Sequence, residues 1–278
     1  MAVTARQYVG RLAPSPTGLL HLGHARTFWI AAKRARAANG KLWLRDEDLD
    51  PQRSREDFAA AMREDLRWLG ITWCAEIRQS ERLDVYREAM ERLVSGRFAY
   101  PCHCGRKDLQ HAVQAPHEDD DEPIYSGRCR PEETVAGEHL RPGMNYRFRV
   151  PDGEVVNFVD GHAGPQSFTA GCDKADFGDF VVWRKDGLPS YQLACVVDDT
   201  AMGITEVVRG RDLLRSTARQ ILLQRALGLP PPLYFHTDLV RDETGVRLAK
   251  RHDALSLRAL RNAGFRPADV IARLNVEP

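Results

Sequence analysis

Tyr8 to Ala13 forms a short β-type run, and Pro14-Ser15-Pro16-Thr17-Gly18 closes it with turn residues. From His24 through Ala38 the segment HARTFWIAAKRARAA carries apolar and basic faces at helical spacing, and Asn39-Gly40 supplies the stop. Lys41 to Leu44 then predicts a second strand, which runs into the acidic cluster Asp46, Glu47, Asp48 and Asp50. Strand, loop, helix and strand in this order define a βαβ unit. Such a unit implies a parallel sheet with its ligand crevice at the carboxyl ends of the strands. The cleft is therefore expected near residues 11 to 24 and 46 to 50.

Residues 56 to 69 and 81 to 95 predict amphipathic helices, with Trp68, Leu69, Leu83, Tyr86 and Leu93 as core contacts. From Tyr100 to about Cys172 the helical rhythm gives way to short β-type pieces such as Tyr146 to Val150, and Glu118 to Glu122 reads as an acidic loop. This stretch has the character of an insertion. Phe180 to Arg184 and Leu193 to Val197 are apolar runs expected of buried strands. Asp212 to Leu227 predicts a helix ended by Gly228, with prolines just beyond. An α/β framework thus closes around the insertion.

A chain of 278 residues buries a sizeable core and leaves room for a cleft, which favours an enzyme over a small adaptor. Lys and Arg number 40 against 39 Asp and Glu, so no global positive field draws in nucleic acid and such contacts must come from local patches. No uncharged apolar stretch approaches the roughly 20 residues that span a bilayer, which argues against a membrane-spanning role. The N-terminal residues lack the apolar core of a signal peptide, and a cytoplasmic chain is expected.

Of six cysteines, Cys74, Cys172 and Cys195 stand alone and are expected to be small buried hydrophobes. Cys102, Cys104 and Cys129 bracket the polar, acidic stretch, which cannot pack by itself, and read as a metal clip. Three thiolates suit tetrahedral zinc, with His103, His111 or His117 as competitors for the fourth place. His21-Leu22-Gly23-His24 puts two imidazoles at the mouth of a helix, where backbone N–H groups and the helix dipole favour phosphate. The same spacing also suits zinc ligation or a solvated face. The adjoining Arg11 and the hydroxyl-bearing turn weight it toward anion recognition.

RLAPSPTGLLHLGHAR resembles the HIGH-motif region of the class I glutamyl-tRNA synthetases, in register and at length. Leu44 to Asp50 is similar to the acidic strand end of that family. Pro189-Ser190-Tyr191 with Val196 to Asp199 resembles its second half-sheet, and Val208 to Asp212 its amino-acid pocket. Arg247-Leu248-Ala249-Lys250-Arg251 falls where the KMSKS loop should be, with Arg247 in place of the first Lys and Ala249 in place of the Ser. The likeness covers about residues 8 to 265. Only 27 residues follow Arg251, too few for the helical domain with which those enzymes read the anticodon. With the Cys-x-Cys and Tyr-x-x-x-Cys pattern, the chain is therefore similar to their shortened branch, the glutamyl-Q tRNA(Asp) synthetases.

The resemblance implies an α/β fold: a Rossmann-type parallel-sheet catalytic core of class I aminoacyl-tRNA synthetases with an inserted zinc-containing α+β subdomain. It implies halves of the catalytic domain at 1–99 and 176–240, an insertion at 100–175, and the KMSKS-like loop with a short helical segment at 241–278. The implied ligase activates glutamate with ATP and transfers it to the queuosine base in the anticodon loop of tRNA(Asp). Activation needs cations for two carboxylates and an anion for the α-ammonium, and Arg11, Arg209 and Glu47 supply those charge types near strand ends. By family analogy Ala13, Ser15 and Tyr191 line the glutamate site and Arg209 contacts a substrate carboxylate. His21, Gly23, His24 and Lys250 serve ATP, with Mg²⁺ bridging its phosphates. Tyr125 joins Cys102, Cys104 and Cys129 as a structural zinc ligand on the family pattern. A monomer is expected. A truncated conventional glutamyl-tRNA synthetase core and a non-catalytic zinc-bearing tRNA-binding protein are the competing readings.

Overall fold

In a computed structural model, which describes residues 7–104, 124–132, 139–172, 175–240 and 256–274, the βαβ unit is present. Strand β1 (Val9–Leu12) pairs in parallel with β2 (Lys41–Asp46), and helix α1 (Leu22–Ala37) makes the crossover. The return from α1 into β2 depends on Gly40. A Cβ there would sit 2.5 Å from the carbonyl oxygen of Tyr8, to which Lys41 donates its backbone N–H. Strand β3 (Ala75–Arg78) continues the parallel set beyond β2, after helix α2 (Glu56–Trp68).

The chain divides into two compact units, the first drawing on Met1–Ser80, Ile204–Arg211 and Leu233–Pro278. Within it β9 (Glu206–Gly210) and β10 (Leu233–Thr237) pair in parallel, with Arg209 directly beside His236. The Thr205 N–H donates to the Val9 carbonyl at 2.9 Å, which ties the start of β9 to β1. Helices α6 (Leu257–Asn262) and α7 (Pro267–Arg273) place Leu257, Leu260 and Val270 in one core with Leu12, Leu44, Leu66 and Val208. Each such side chain contributes about 1.5–3 kcal/mol on burial, which binds the late segment to the early one.

The second unit comprises Glu81–Gly203 and Asp212–Pro232. It contains helix α3 (Leu83–Ser95) and an antiparallel sheet in the order β4 (Ala99–Cys102), β5 (Asn145–Phe148), β8 (Phe180–Trp183). It also contains the hairpin of β6 (Val155–Asp160) with β7 (Gly164–Thr169), and helices α4 (Tyr191–Ala201) and α5 (Leu214–Leu227). Gly228 ends α5 in the left-handed region at φ 67°. Among the described residues no helix is long and apolar enough to cross a membrane.

Two expectations are corrected. Leu193 to Val197 is not a strand but the middle of α4, capped by Ser190, whose hydroxyl accepts the Leu193 N–H. Every residue of that run is buried, so the helix shows no polar stripe and its sequence looks like a buried strand. Of the solitary cysteines only Cys195 is buried: Cys74 is exposed, and the half-exposed Cys172 accepts from the guanidinium of Arg130 at 2.6 Å.

Candidate active site

The first unit holds Arg11, Ala13, Ser15, His21, Gly23, His24, Glu47 and Arg209 together. Arg11 is in β1 and almost fully buried. Its Nη1 donates to the Val208 carbonyl at 2.9 Å, which turns the guanidinium toward β9. Arg209, the next residue of β9, is equally buried, and its Nε donates to Nε2 of His236 at 3.1 Å. Glu47 follows directly on β2. Its backbone N–H donates to the Pro14 carbonyl at 3.0 Å, which fastens the acidic strand end to the turn that bears Ala13 and the exposed Ser15. The carboxylate of Glu47 accepts from Nε and Nη2 of Arg45 at 3.2 and 3.1 Å. Two cations and an anion thus stand at or near the carboxyl ends of β1, β2 and β9.

His21 is the N-cap of α1. Its Nδ1 accepts the Gly23 N–H at 3.1 Å, while Nδ1 of His24 accepts the His21 N–H at 3.4 Å. An accepting Nδ1 leaves the ring proton on Nε2 of each neutral imidazole. The two rings lie 3.8 Å apart between centroids. The helix mouth therefore combines backbone N–H groups, the positive end of a dipole and two Nε2–H donors, a set that suits phosphate oxygens. Lys250 and the rest of the 247–251 stretch lie outside the described residues. The chain just beyond returns to this place: Ser256 forms a β-bridge with His21, and the Leu257 N–H donates to the Leu20 carbonyl at 2.7 Å.

Beside the acidic strand end, burial and then the neighbouring Asp48 push the Asp46 carboxyl up to about 6, against the pull of Arg63 and Arg78. Arg63 and Arg78 contact its Oδ2 at 3.2 and 3.3 Å. This cluster secures the end of β2 from which Glu47 projects.

In the second unit Tyr191 begins α4, half-exposed, immediately after the Ser190 cap. The same unit brings Cys102, Cys104 and Cys129 together, their sulfurs all within 4.8 Å of one another. The Cys104 and Cys129 sulfurs are 3.6 Å apart, and the Tyr125 hydroxyl lies 3.3 Å from Cys104 and 3.7 Å from Cys102. Ligands about 2.3 Å from a tetrahedral metal are separated by distances of this size, so the three cysteines could hold a metal ion. Burial raises the Cys129 thiol, but hydrogen bonds from Tyr125, the His103 backbone and the other two thiols outweigh it and bring the group down to about 7. Burial pushes Cys104 up to about 11. A thiol poised near neutrality is readily surrendered as a thiolate ligand. His103 is exposed, and His111 and His117 lie outside the described residues.

Sequence reasoning missed Arg45 and His236. Arg45 is among the largest fully buried side chains of the described residues, and its signal was a charge directly after the apolar run Leu42-Trp43-Leu44. His236, fully buried, interrupts the apolar run Leu233-Tyr234-Phe235 in the same way.

This arrangement is that of a class I tRNA synthetase catalytic domain: the chain matches the family of class I tRNA synthetases (E and Q), catalytic domain, over residues 7–276. The glutamyl-Q tRNA(Asp) synthetase of Nitratidesulfovibrio vulgaris is 47% identical over 95% of this chain and 84% of its own. The glutamate–tRNA ligase of Aquifex aeolicus is 43% identical over 92% of this chain, which spans 54% of that enzyme. Among solved structures, a glutamate tRNA ligase from Elizabethkingia meningosepticum in complex with its amino acid superposes with a TM-score of 0.73 at 29% identity. That likeness covers 94% of this chain and 54% of the other. The chain belongs to the class I aminoacyl-tRNA synthetases, a family of ligases, and within them to the glutamyl-Q tRNA(Asp) synthetases.

Proposed function

We propose that this protein activates glutamate with ATP and passes the glutamyl group to the queuosine base in the anticodon loop of tRNA(Asp). The observation that carries the first half is the set Arg11, Glu47 and Arg209 at the carboxyl ends of β1, β2 and β9, beside the histidine-capped mouth of α1. The two guanidiniums take the carboxylates of glutamate and Glu47 its ammonium, while Ala13 and Ser15 line the amino-acid site. The α-carboxylate attacks the α-phosphorus of ATP. A C–O–P bond forms, the bond from that phosphorus to the bridging oxygen breaks, and pyrophosphate leaves with its electron pair. The protein supplies positioning and charge rather than covalent chemistry. Nε2–H of His21 and His24, with the N–H groups after Gly23, meet phosphate oxygens, and Lys250 adds a cation to the same triphosphate. Mg²⁺ enters with ATP as part of the substrate.

Cys102, Cys104, Cys129 and Tyr125 hold one Zn²⁺. Held by these side chains the ion would be structural, a crosslink between the end of β4 and the segment that carries Tyr125 and Cys129.

The queuosine acceptor is supported by the relatives whose whole length the chain nearly matches, such as the glutamyl-Q tRNA(Asp) synthetase of Rhodobacter capsulatus, covered to 98%. The likeness to glutamate–tRNA ligases favours a second reading, attachment to the 3′ end of a tRNA. The acceptor is tested with labelled glutamate and tRNA(Asp), with queuosine or with guanosine at the same position. Label on the queuosine tRNA alone, retained after its 3′ nucleoside is removed, supports the proposal. Label lost with that nucleoside supports the second reading.

A further inference from the structure

Arg209 and His236 are register partners on the parallel strands β9 and β10, and both are buried to within a few per cent. The hydrogen bond between them has a defined direction. A guanidinium has no acceptor, so Nε of Arg209 donates and Nε2 of His236 must be bare, which makes the imidazole neutral with its proton on Nδ1. Nε is the one nitrogen of arginine attached to the side-chain stem, so a bond there fixes the plane of the guanidinium and hence where both terminal amino groups point. Tyr234, two residues before His236 on β10, lies beside both side chains. Its ring lies 5.5 Å from the Arg209 guanidinium and stacks on the imidazole with centroids 6.1 Å apart. The Thr237 hydroxyl adds a bond to the Arg209 carbonyl at 3.4 Å, so β10 holds both backbone and side chain of this residue.

We propose that His236 is a positioning residue for glutamate recognition: its Nε2 sets the guanidinium plane in which Arg209 meets a substrate carboxylate. The inference rests on the reading of Arg209 given above and adds a residue that does not itself touch substrate. Bidentate recognition of a carboxylate is planar, so a guanidinium whose plane is less firmly set loses part of its affinity for glutamate while leaving the phosphate contacts of ATP as they were.

The test compares two amides at this position. Gln places its carbonyl oxygen at about the reach of Nε2, whereas the shorter Asn does not, and both make comparable demands on the fold. Glutamate-dependent ATP–pyrophosphate exchange is measured for wild type, His236→Gln, His236→Asn and Arg209→Ala, each checked by its melting curve. The expected result is a glutamate KM raised about tenfold or more in His236→Asn, within about threefold of wild type in His236→Gln, and an ATP KM unchanged in both. Equal glutamate KM values in the folded Gln and Asn variants would overturn the proposal. A wild-type glutamate KM in Arg209→Ala would instead overturn the reading of Arg209 and the proposal with it.

Discussion

Arg45, whose side chain is wholly removed from solvent, holds the carboxylate of Glu47 two residues further on, with Nη2 and Oε1 3.1 Å apart. Glu47 is the anion proposed for the substrate ammonium, so its orientation depends on the guanidinium of Arg45. Replacing Arg45 with Met keeps much of the buried stem and removes the charge. Arg45→Met is expected to raise the glutamate KM about tenfold, with little effect on ATP, and to cost about 1–3 kcal/mol of stability. Steady-state exchange kinetics and urea unfolding check both parts. An unchanged glutamate KM would detach Glu47 from its assigned role.

His21 caps α1 through Nδ1, and its Nε2–H is the donor proposed for ATP. Asn is among the best N-cap residues, so His21→Asn is expected to unfold within about 0.5 kcal/mol of wild type while kcat for exchange falls by about 100-fold. His21→Ala should lose the same activity and a further ~1 kcal/mol of stability. An active His21→Asn variant would reduce this histidine to a cap.

Cys129 approaches Cys104, and the Tyr125 hydroxyl accepts its backbone N–H at 2.9 Å. Metal analysis of the purified protein should give about one zinc per chain, and Cys129→Ser well below that, with a lower melting temperature. Equal zinc in the two proteins would remove these thiols as ligands.

Neither carboxylate oxygen of Asp65 has a hydrogen-bond partner, although the side chain is fully buried in α2. Burial pushes its carboxyl up to about 6, against the pull of Arg258 and Arg261. The folded value lies above the unfolded one of about 3.9, so folding favours the protonated form. Its contribution is fully present below about pH 4 and is lost as pH rises through 6. Asp65→Asn removes the charge at constant shape and should raise stability by about 1–3 kcal/mol at pH 7.5, with no gain near pH 4. Denaturant unfolding at the two pH values checks this, and a gain independent of pH would contradict it. Asp46, raised to about 6 chiefly by burial, titrates in the same window.

The first βαβ unit was legible because period-two and helical patterns alternate between clear breaks, and Gly40 stands where the backbone leaves no space for a side chain. The three cysteines were legible by spacing. Leu193 to Val197 was not, because a helix buried on every side loses the polar stripe that betrays a helix. Arg45 and His236 were missed for a related reason. A lone polar residue inside an apolar strand counts against burial until its partner is known, and each partner here, Glu47 or Arg209, depends on pairing or turn geometry that the linear pattern does not express.

In the function proposed for this protein, strand-end charges and the histidine-capped helix seat glutamate against ATP so that an acyl-adenylate forms. Glutamate-dependent exchange of labelled pyrophosphate into ATP measures that step alone. Exchange is expected with glutamate, none with glutamine or aspartate at equal concentration, and its loss in Arg209→Ala with the fold intact. Absence of exchange with glutamate, whether or not tRNA(Asp) is added, would contradict it.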